Sequence, residues 1–489
     1  MRLRHLVSCS LLLLAAACGG GSSSTPAPRV VAVQPVSVGL QTGQGQAFTA
    51  TVDGAASTAV TWSVVENGGG AVTAAGAYTA PGAAGTYHVR AALAADATHN
   101  AQATVTVTLP VPGVPGLGLG AAMNGYVPFP ADNPWNQDVS ALPVDTASDT
   151  IIGFVGAGLG LRADFGSGLI GGASFGIPYA VVAGSQARVP VAYQKWGDES
   201  EPGPMPIPVP PPFEGTSPTD AIAGDRHVVV FDRDGGLLYE LYDATLQGDG
   251  TWHADNGAIW DLTSDLLRPL GWTSGDAAGL PIFPGLVKYG EMASGAINHA
   301  IRLTVPVTRK AYVLPATHWA SSNTSLSAPP MGMRLRLKAG KDISGFSPQA
   351  KVILTALKKY GLIVADNGGA WFMSGCPDPG WDNDDLHTLL TVTGADLEVV
   401  QMGTVFTAVP AGPAPAIQTF APNAATIAAG GTATLSWTAT DATRYVVTPG
   451  PGFVRGTSVD VKPAVTTVYT LLAEGPYGSA TRSATVVVN

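Results

Sequence analysis

Glycine and proline punctuate this chain so densely that long helices are excluded: 61 Gly and 39 Pro fall among 489 residues. Gly loses the most backbone freedom in a regular element, and Pro removes an amide donor. Regular segments must therefore be short. Runs of roughly 4–8 residues rich in Val, Ile, Thr and aromatics, separated by turns, survive such punctuation best, and these are strands. A 46% hydrophobic content with ten Trp fills packed cores and excludes global disorder. Charged residues are 12% and the formal net charge is −10, so there is no basic stripe to replace phosphate counterions and no nucleic-acid partner is expected. At roughly 100–200 residues per domain, the length allows about three domains.

Arg2, Arg4 and His5 precede an apolar run from Leu11 to Ala17, followed by Cys18 and Gly19. A basic n-region and a short h-region make a secretory signal, too short to span a bilayer as a helix. The segment LLLLAAAC resembles the lipobox of bacterial lipoproteins, although Ala15 stands where that family prefers Leu. The resemblance implies cleavage before Cys18, acylation of Cys18, and a lipid-anchored protein at the outer membrane or cell surface, since Gly19 is not the Asp that favours inner-membrane retention. The alternative is an ordinary cleaved signal. Residues 19–28 (GGGSSSTPAP) read as a flexible tether. Of Cys9, Cys18 and Cys376, only Cys376 is internal. With no internal disulfide available, stability must come from core burial.

Residues 29–109 alternate apolar and polar, with Val60, Trp62 and Val64 on one face of a strand. The segments AVTWSV, GAYTAP and ATVTVTL resemble bacterial Ig-like repeats. Residues 414–489 resemble the same class, with Leu435 and Trp437 on one face of TATLSWTAT. The resemblance implies an Ig-like β-sandwich at each end, of the kind that serves as a spacer or weak adhesion element. Residues 110–123 and the run from Pro410 to Pro415 read as linkers, leaving a central domain over 124–409.

In that domain, Arg226–Phe231, Leu237–Leu241, Ile301–Val305, Ala311–Leu314, Leu362–Ala365 and Ala370–Met373 read as strands, with RDGG (233–236) and Asp366–Gly369 as hairpin turns. Ser347, Pro348 and Gly361 bracket one helix with a buried stripe of Ala350, Ile353, Leu354, Leu357 and Tyr360. The fold class expected is mainly β: a central sandwich or distorted barrel with one docked helix between two Ig-like modules. Pro202–Pro212 is expected as a rigid surface loop, and 198–203 (DESEPG) as a solvated acidic loop.

HExxH, CxxC and P-loop patterns are absent, and no metal or other cofactor is evident. Gly172–Gly176 matches GxSxG, but no helix pattern follows Ser174, so a Gly-rich turn fits better than a nucleophile elbow. Trp381–Asp385 (WDNDD) fits a helix start better than a calcium loop, because Leu386, Leu389 and Leu390 follow. Period two puts Asn298, Arg302 and Thr304 on one face and His299 on the apolar face, as either a core histidine bonded to a carbonyl or a general acid/base tuned by Asp276 or Asp366.

Candidate catalytic residues are Asp276, His299, Asp366, Glu291, His318 and Asp225, and candidate substrate-binding residues are Asn298, Arg302, Trp319, Trp371 and Trp272. Carboxyl pairs with aromatic platforms suit glycoside hydrolysis. Elimination would instead use His299 or Tyr312 as base, with Asn298 and Arg302 neutralising a uronate, which an acidic protein disfavours. The expected protein is a surface-anchored enzyme whose partner is an extracellular polysaccharide or cell-surface glycan. A non-catalytic adhesin or glycan-binding lipoprotein is the alternative.

Overall fold

The computed structural model describes residues 29–56, 59–219 and 224–489, so the signal, the tether and Cys18 lie outside the described residues. The chain divides into two compact units at Pro110/Val111. Both are mainly β.

In the first unit, a four-stranded sheet runs Ser37–Gln41, Asp96–Thr108, Gly85–Leu93 and Val60–Val64, accompanied by smaller sheets. Their facing sides bury Phe48, Tyr78, Val89 and Val105, as a sandwich requires. Trp62 is half-buried, its ring centroid 6.4 Å from that of Phe48.

The second unit contains two central sheets. The five-stranded sheet is built in the order β1 (Gly118–Leu119), β3 (Ala180–Val182), β4 (Val228–Asp232), β5 (Leu237–Tyr242) and β6 (Asn256–Asp261). Its edge strand β1 comes from the segment whose composition reads as a linker. Strand β4 sends Val229 and Phe231 into one core and Val228 and Val230 into another. Burial on both faces is why this strand reads as an unbroken apolar run.

The six-stranded sheet runs β2 (Arg162–Asp164), β10 (Phe372–Ser374), β7 (Ile301–Val305), β9 (Leu362–Asn367), β8 (Arg334–Leu337) and β11 (Leu397–Val399). Here the hairpin expected at 366–369 gives way to a crossing. Strand β7 lies between β9 and β10, parallel to the first and antiparallel to the second. Gly368 and Gly369 carry the chain over the end of β7, with the Gly368 amide donating to the Val305 carbonyl at 2.9 Å. The register of β7 against β9 slips by one residue after Leu303, so Asp366 rather than Ala365 comes level with Thr304, on the Arg302 side of β7.

The expected strand at 311–314 is likewise not formed. Tyr312 makes only single bridges, to Met331 and Phe406, and Ala311 to Val313 are apolar because they are buried. The helix α3 (Pro348–Lys359) carries the expected stripe, while the Ser347 hydroxyl donates to Asp385 instead of capping it. Helices α1 (Ser148–Val155), α2 (Tyr289–Ser294) and α4 (Asn383–His387) join it, and Asp382 caps α4 by accepting from the Asp384 and Asp385 amides.

Two further expectations fail for one physical reason, burial that local composition does not reveal. Met205 and Ile207 of the Pro-dense stretch are core residues, although Val209 is exposed. Glu201 of the acidic loop is fully buried: it accepts from Arg268 Nε at 2.9 Å and from Arg444 at 2.8 Å. Arg444 lies on β12 (Arg444–Thr448) of the C-terminal sandwich, whose core includes Trp437, Phe420 and Tyr445. That module is thus joined to the central sheets by buried charge, with Glu474 on β13 (Thr467–Gly475) at 3.5 Å from Arg444 Nε.

Candidate active site

Arg302 is the hub of a polar cluster where the two central sheets meet. Its strand β7 is flanked by β9 and β10, so Asp366 and Ser374 lie beside it on neighbouring strands. Arg302 Nε and one terminal nitrogen donate to the two oxygens of Asp276 at 2.9 Å each. Other donors reach Ser374 Oγ at 2.7 Å and Asp366 Oδ2 at 3.2 Å. Burial pushes the Asp276 carboxyl up against the pull of Arg302. Burial also acts against the Arg302 charge, but Asp276 and Asp366 outweigh it and hold the guanidinium well above its usual range. The two-pronged geometry is that of an ionised pair.

A second pair abuts the first. His227, just before β4, places Nδ1 2.5 Å from Glu214 Oε2, and Nε2 donates to the Gly275 carbonyl at 2.9 Å, one residue from Asp276. Burial alone would keep this imidazole neutral, but the Glu214 carboxylate holds it protonated up to about 9. Burial raises the Glu214 carboxyl, yet His227 outweighs burial and holds it below its ordinary value. Asp366 goes the other way: burial and the nearby Asp276 push it up to about 6, against Arg302. Below about pH 6 one cluster therefore holds an acid that keeps its proton beside a carboxylate that has lost it.

The rim is half open. The Asp366 and Glu214 side chains are 24% and 26% exposed above a nearly inaccessible Arg302 and His227. Asp225 and Asp164 are exposed and act electrostatically on this group: Asp225 on His227 and Asp366, while Asp164 is itself pushed up by burial and by Glu214. The Tyr242 ring lies 5.7 Å from that of His227 and 6.3 Å from that of Trp196, which at 39% is the most exposed Trp of the chain. Beneath, the buried Glu240 accepts from the Ile282 and Phe283 amides and from Trp260, bracing the sheets; burial raises its carboxyl to about 7.

The structure brings Asp276, Asp366, Arg302 and Asp225 together and disperses the other candidates. His299 Nε2 meets Glu291 at 2.8 Å and its Nδ1 meets the Ala300 carbonyl at 2.7 Å, so its carboxylate partner is neither Asp276 nor Asp366. His318 Nδ1 donates to the Ala277 carbonyl. Asn298 is exposed on a recess outside the cluster. Trp371 is fully buried, with Nε1 donating to the Gly156 carbonyl, and is a core residue rather than a platform. Trp319 stacks on Tyr312 at 5.7 Å, and Trp272 lies under the Arg268 guanidinium at 5.5 Å. Ser174 sits in a two-stranded hairpin with no following helix. Cys376 is buried, and burial pushes its thiol up to about 12. Among the described residues, no group of three His, Cys, Asp or Glu side chains could hold a metal.

Glu214, His227, Tyr242, Asp164 and Trp196 are absent from the sequence-derived candidates. Glu214 follows a Pro run that reads as surface, and only the acid–imidazole pairing across 13 residues marks it. A polar triplet at the mouth of an apolar strand, Asp225-Arg226-His227, is the signal that points to the site.

No family model matches the chain, and no curated protein sequence does. Among solved structures, the chain is similar to the N-terminal four Ig domains of Dscam1 isoform 1.9, with 9% identity, coverage of 94% of this chain and 99% of that one, and a TM-score of 0.13. It is also similar to the four Ig domains of Dscam1 isoform 6.44, at 9% identity, 93% and 97% coverage and a TM-score of 0.14. Likeness at these TM-scores carries no argument about function.

Proposed function

We propose that the protein is an exported, lipid-anchored glycoside hydrolase that cleaves an extracellular polysaccharide at the Arg302 cluster. The observation that carries this reading is the pair of unlike carboxyls, Asp366 holding its proton to about 6 and Glu214 ionised beside His227. Glycoside hydrolysis needs this division of labour. Asp366 donates its proton to the glycosidic oxygen as the C–O bond breaks, and Glu214 accepts a proton from the attacking water. Asp276 positions Arg302, and Arg302 positions Asp366. Trp196 and Tyr242 supply the aromatic surface for a sugar ring. The anchor reading rests on LLLLAAAC and the acylation it implies at Cys18.

Elimination has less support, because His299 and Tyr312 are both buried and Arg302 is already committed to the Asp276 and Asp366 carboxyl groups. The competing class is a glycan-binding or adhesive lipoprotein, favoured by the dispersal of Glu291, His299 and His318. Incubating the full chain with a polysaccharide panel separates these readings. Reducing ends without absorbance from unsaturated products support hydrolysis, unsaturated products would replace it with elimination, and no cleavage of any polymer leaves the adhesin.

A further inference from the structure

Two recesses in the unit that carries the Arg302 cluster share part of their walls. The larger, 510 Å³, opens between Tyr126, Tyr289 and Asn298. The smaller, 430 Å³, opens between Ser174 and Pro212–Phe213. Gly120, Tyr179, Cys376, Pro377 and Asp378 line both, so the two recesses adjoin along a shared wall as one groove. Phe213, on the wall of the smaller recess, immediately precedes Glu214 in the chain, while the cluster residues themselves line neither recess. Each recess falls in the range of roughly 300–1,000 Å³ that holds small-molecule ligands.

The lining states what fits. Half-buried Tyr126 and Tyr289, the exposed Asn298 amide and the Ser294 hydroxyl combine aromatic and neutral polar surface, the mixture that suits hydroxylated rings. Charge then selects among such chains. Among the described residues that line these recesses Lys288 is the one cation; it is 3% exposed and donates to the Phe283 and Leu286 carbonyls at 3.0 and 2.9 Å. Glu291 and Asp378 line these recesses. Within these recesses a uronate or sulfated chain would meet Glu291 and Asp378 and, among the described lining residues, no accessible cation. The exposed Lys195 and Arg162 stand near the Arg302 cluster instead.

Resting on the hydrolase reading, we propose that this groove is a row of distal subsites for an uncharged or amine-bearing glycan several rings long, so that the enzyme cuts within polymer chains. The test uses the full chain carrying Asp366→Asn, to slow turnover, and calorimetric titration. The probes are α- and β-1,4-linked glucose oligomers, β-1,4-linked N-acetylglucosamine oligomers with their de-N-acetylated forms, and oligogalacturonates, each from two to six rings. One neutral or amine-bearing series is expected to gain about 10-fold in affinity from two rings to six, and the oligogalacturonates to gain nothing. Ala293→Trp, at an exposed position on the groove wall, should cancel the gain while leaving Tm unchanged. A flat length dependence, preference for oligogalacturonate, or a gain untouched by Ala293→Trp overturns the groove. If the unmodified chain cleaves a polymer despite such a result, the hydrolase reading stands without it. If the length gain appears and nothing is cleaved, the groove stands and the hydrolase reading falls.

Discussion

Asp276 accepts both prongs of Arg302 at 2.9 Å, and neither side chain is more than 5% exposed. A buried pair of this kind costs far more to break than to replace, because removing one partner leaves the other charged and unsolvated. Arg302→Ala should therefore destabilise the chain by about 3–5 kcal/mol, read from urea unfolding. Arg302→Lys keeps the charge but not the fork, and should fall between that variant and the parent. A loss near zero for Arg302→Ala would mean that the pair does not hold this junction.

Two groups of the cluster make stability fall as pH rises. Asp366 keeps its proton in the folded chain to about 6 but loses it near the ordinary carboxylate value once unfolded. Its contribution is complete below about 4 and is lost as pH rises to about 6. His227, raised to about 9 by Glu214 despite burial, contributes fully below about 6.5 and loses that contribution as pH rises through about 9. Stability differences across pH between the parent and Asp366→Asn should show the first window, and those with His227→Gln the second. Curves that differ from the parent by a constant at every pH would contradict both assignments.

The C-terminal sandwich is held by two ion pairs of unlike worth. Arg444 is 2% exposed and bonds Glu201, while Arg455 is 46% exposed and bonds Asp261 at 2.6 Å. Arg444→Ala should cost about 3–5 kcal/mol, and Arg455→Ala less, because the lost side chain is itself half exposed and the buried Asp261 keeps Thr263 as a donor. Chemical unfolding of the two variants checks the ranking, and equal losses would contradict it.

Trp196 and Trp371 should separate function from packing. Trp371→Ala empties a fully buried site and should cost about 3–5 kcal/mol. Trp196→Ala, at an exposed ring beside Tyr242, should leave Tm within a degree or two and raise KM about 10-fold on any polymer that is cleaved. The reverse pattern would remove Trp196 from the site.

What the sequence discloses follows from how locally each feature is encoded. Helix α3 and the β4–β5 hairpin are legible because stripe, breaker and turn residues sit within a few positions of one another. Arg302 is legible as a polar group inside an apolar strand run, and Asp276 as a carboxylate in a Gly-rich loop. That Asp366 joins them is not, because it depends on β7 inserting between β9 and β10 and on a one-residue register slip. Glu201 is read as solvated for the same reason: its counterions lie 67 and 243 residues away. Long-range pairing decides whether an acid is surface or core, and composition in a short window carries no trace of it.

The most direct test of Asp366 and Glu214 as acid and base is the initial rate of reducing-end release by the full chain and by Asp366→Asn and Glu214→Gln, on whichever polymer the parent cleaves. Each variant should lose about 10²–10⁴ in rate with its fold intact by circular dichroism, and the parent rate should decline above about pH 6 as Asp366 ionises. Variants that match the parent rate would contradict this assignment outright.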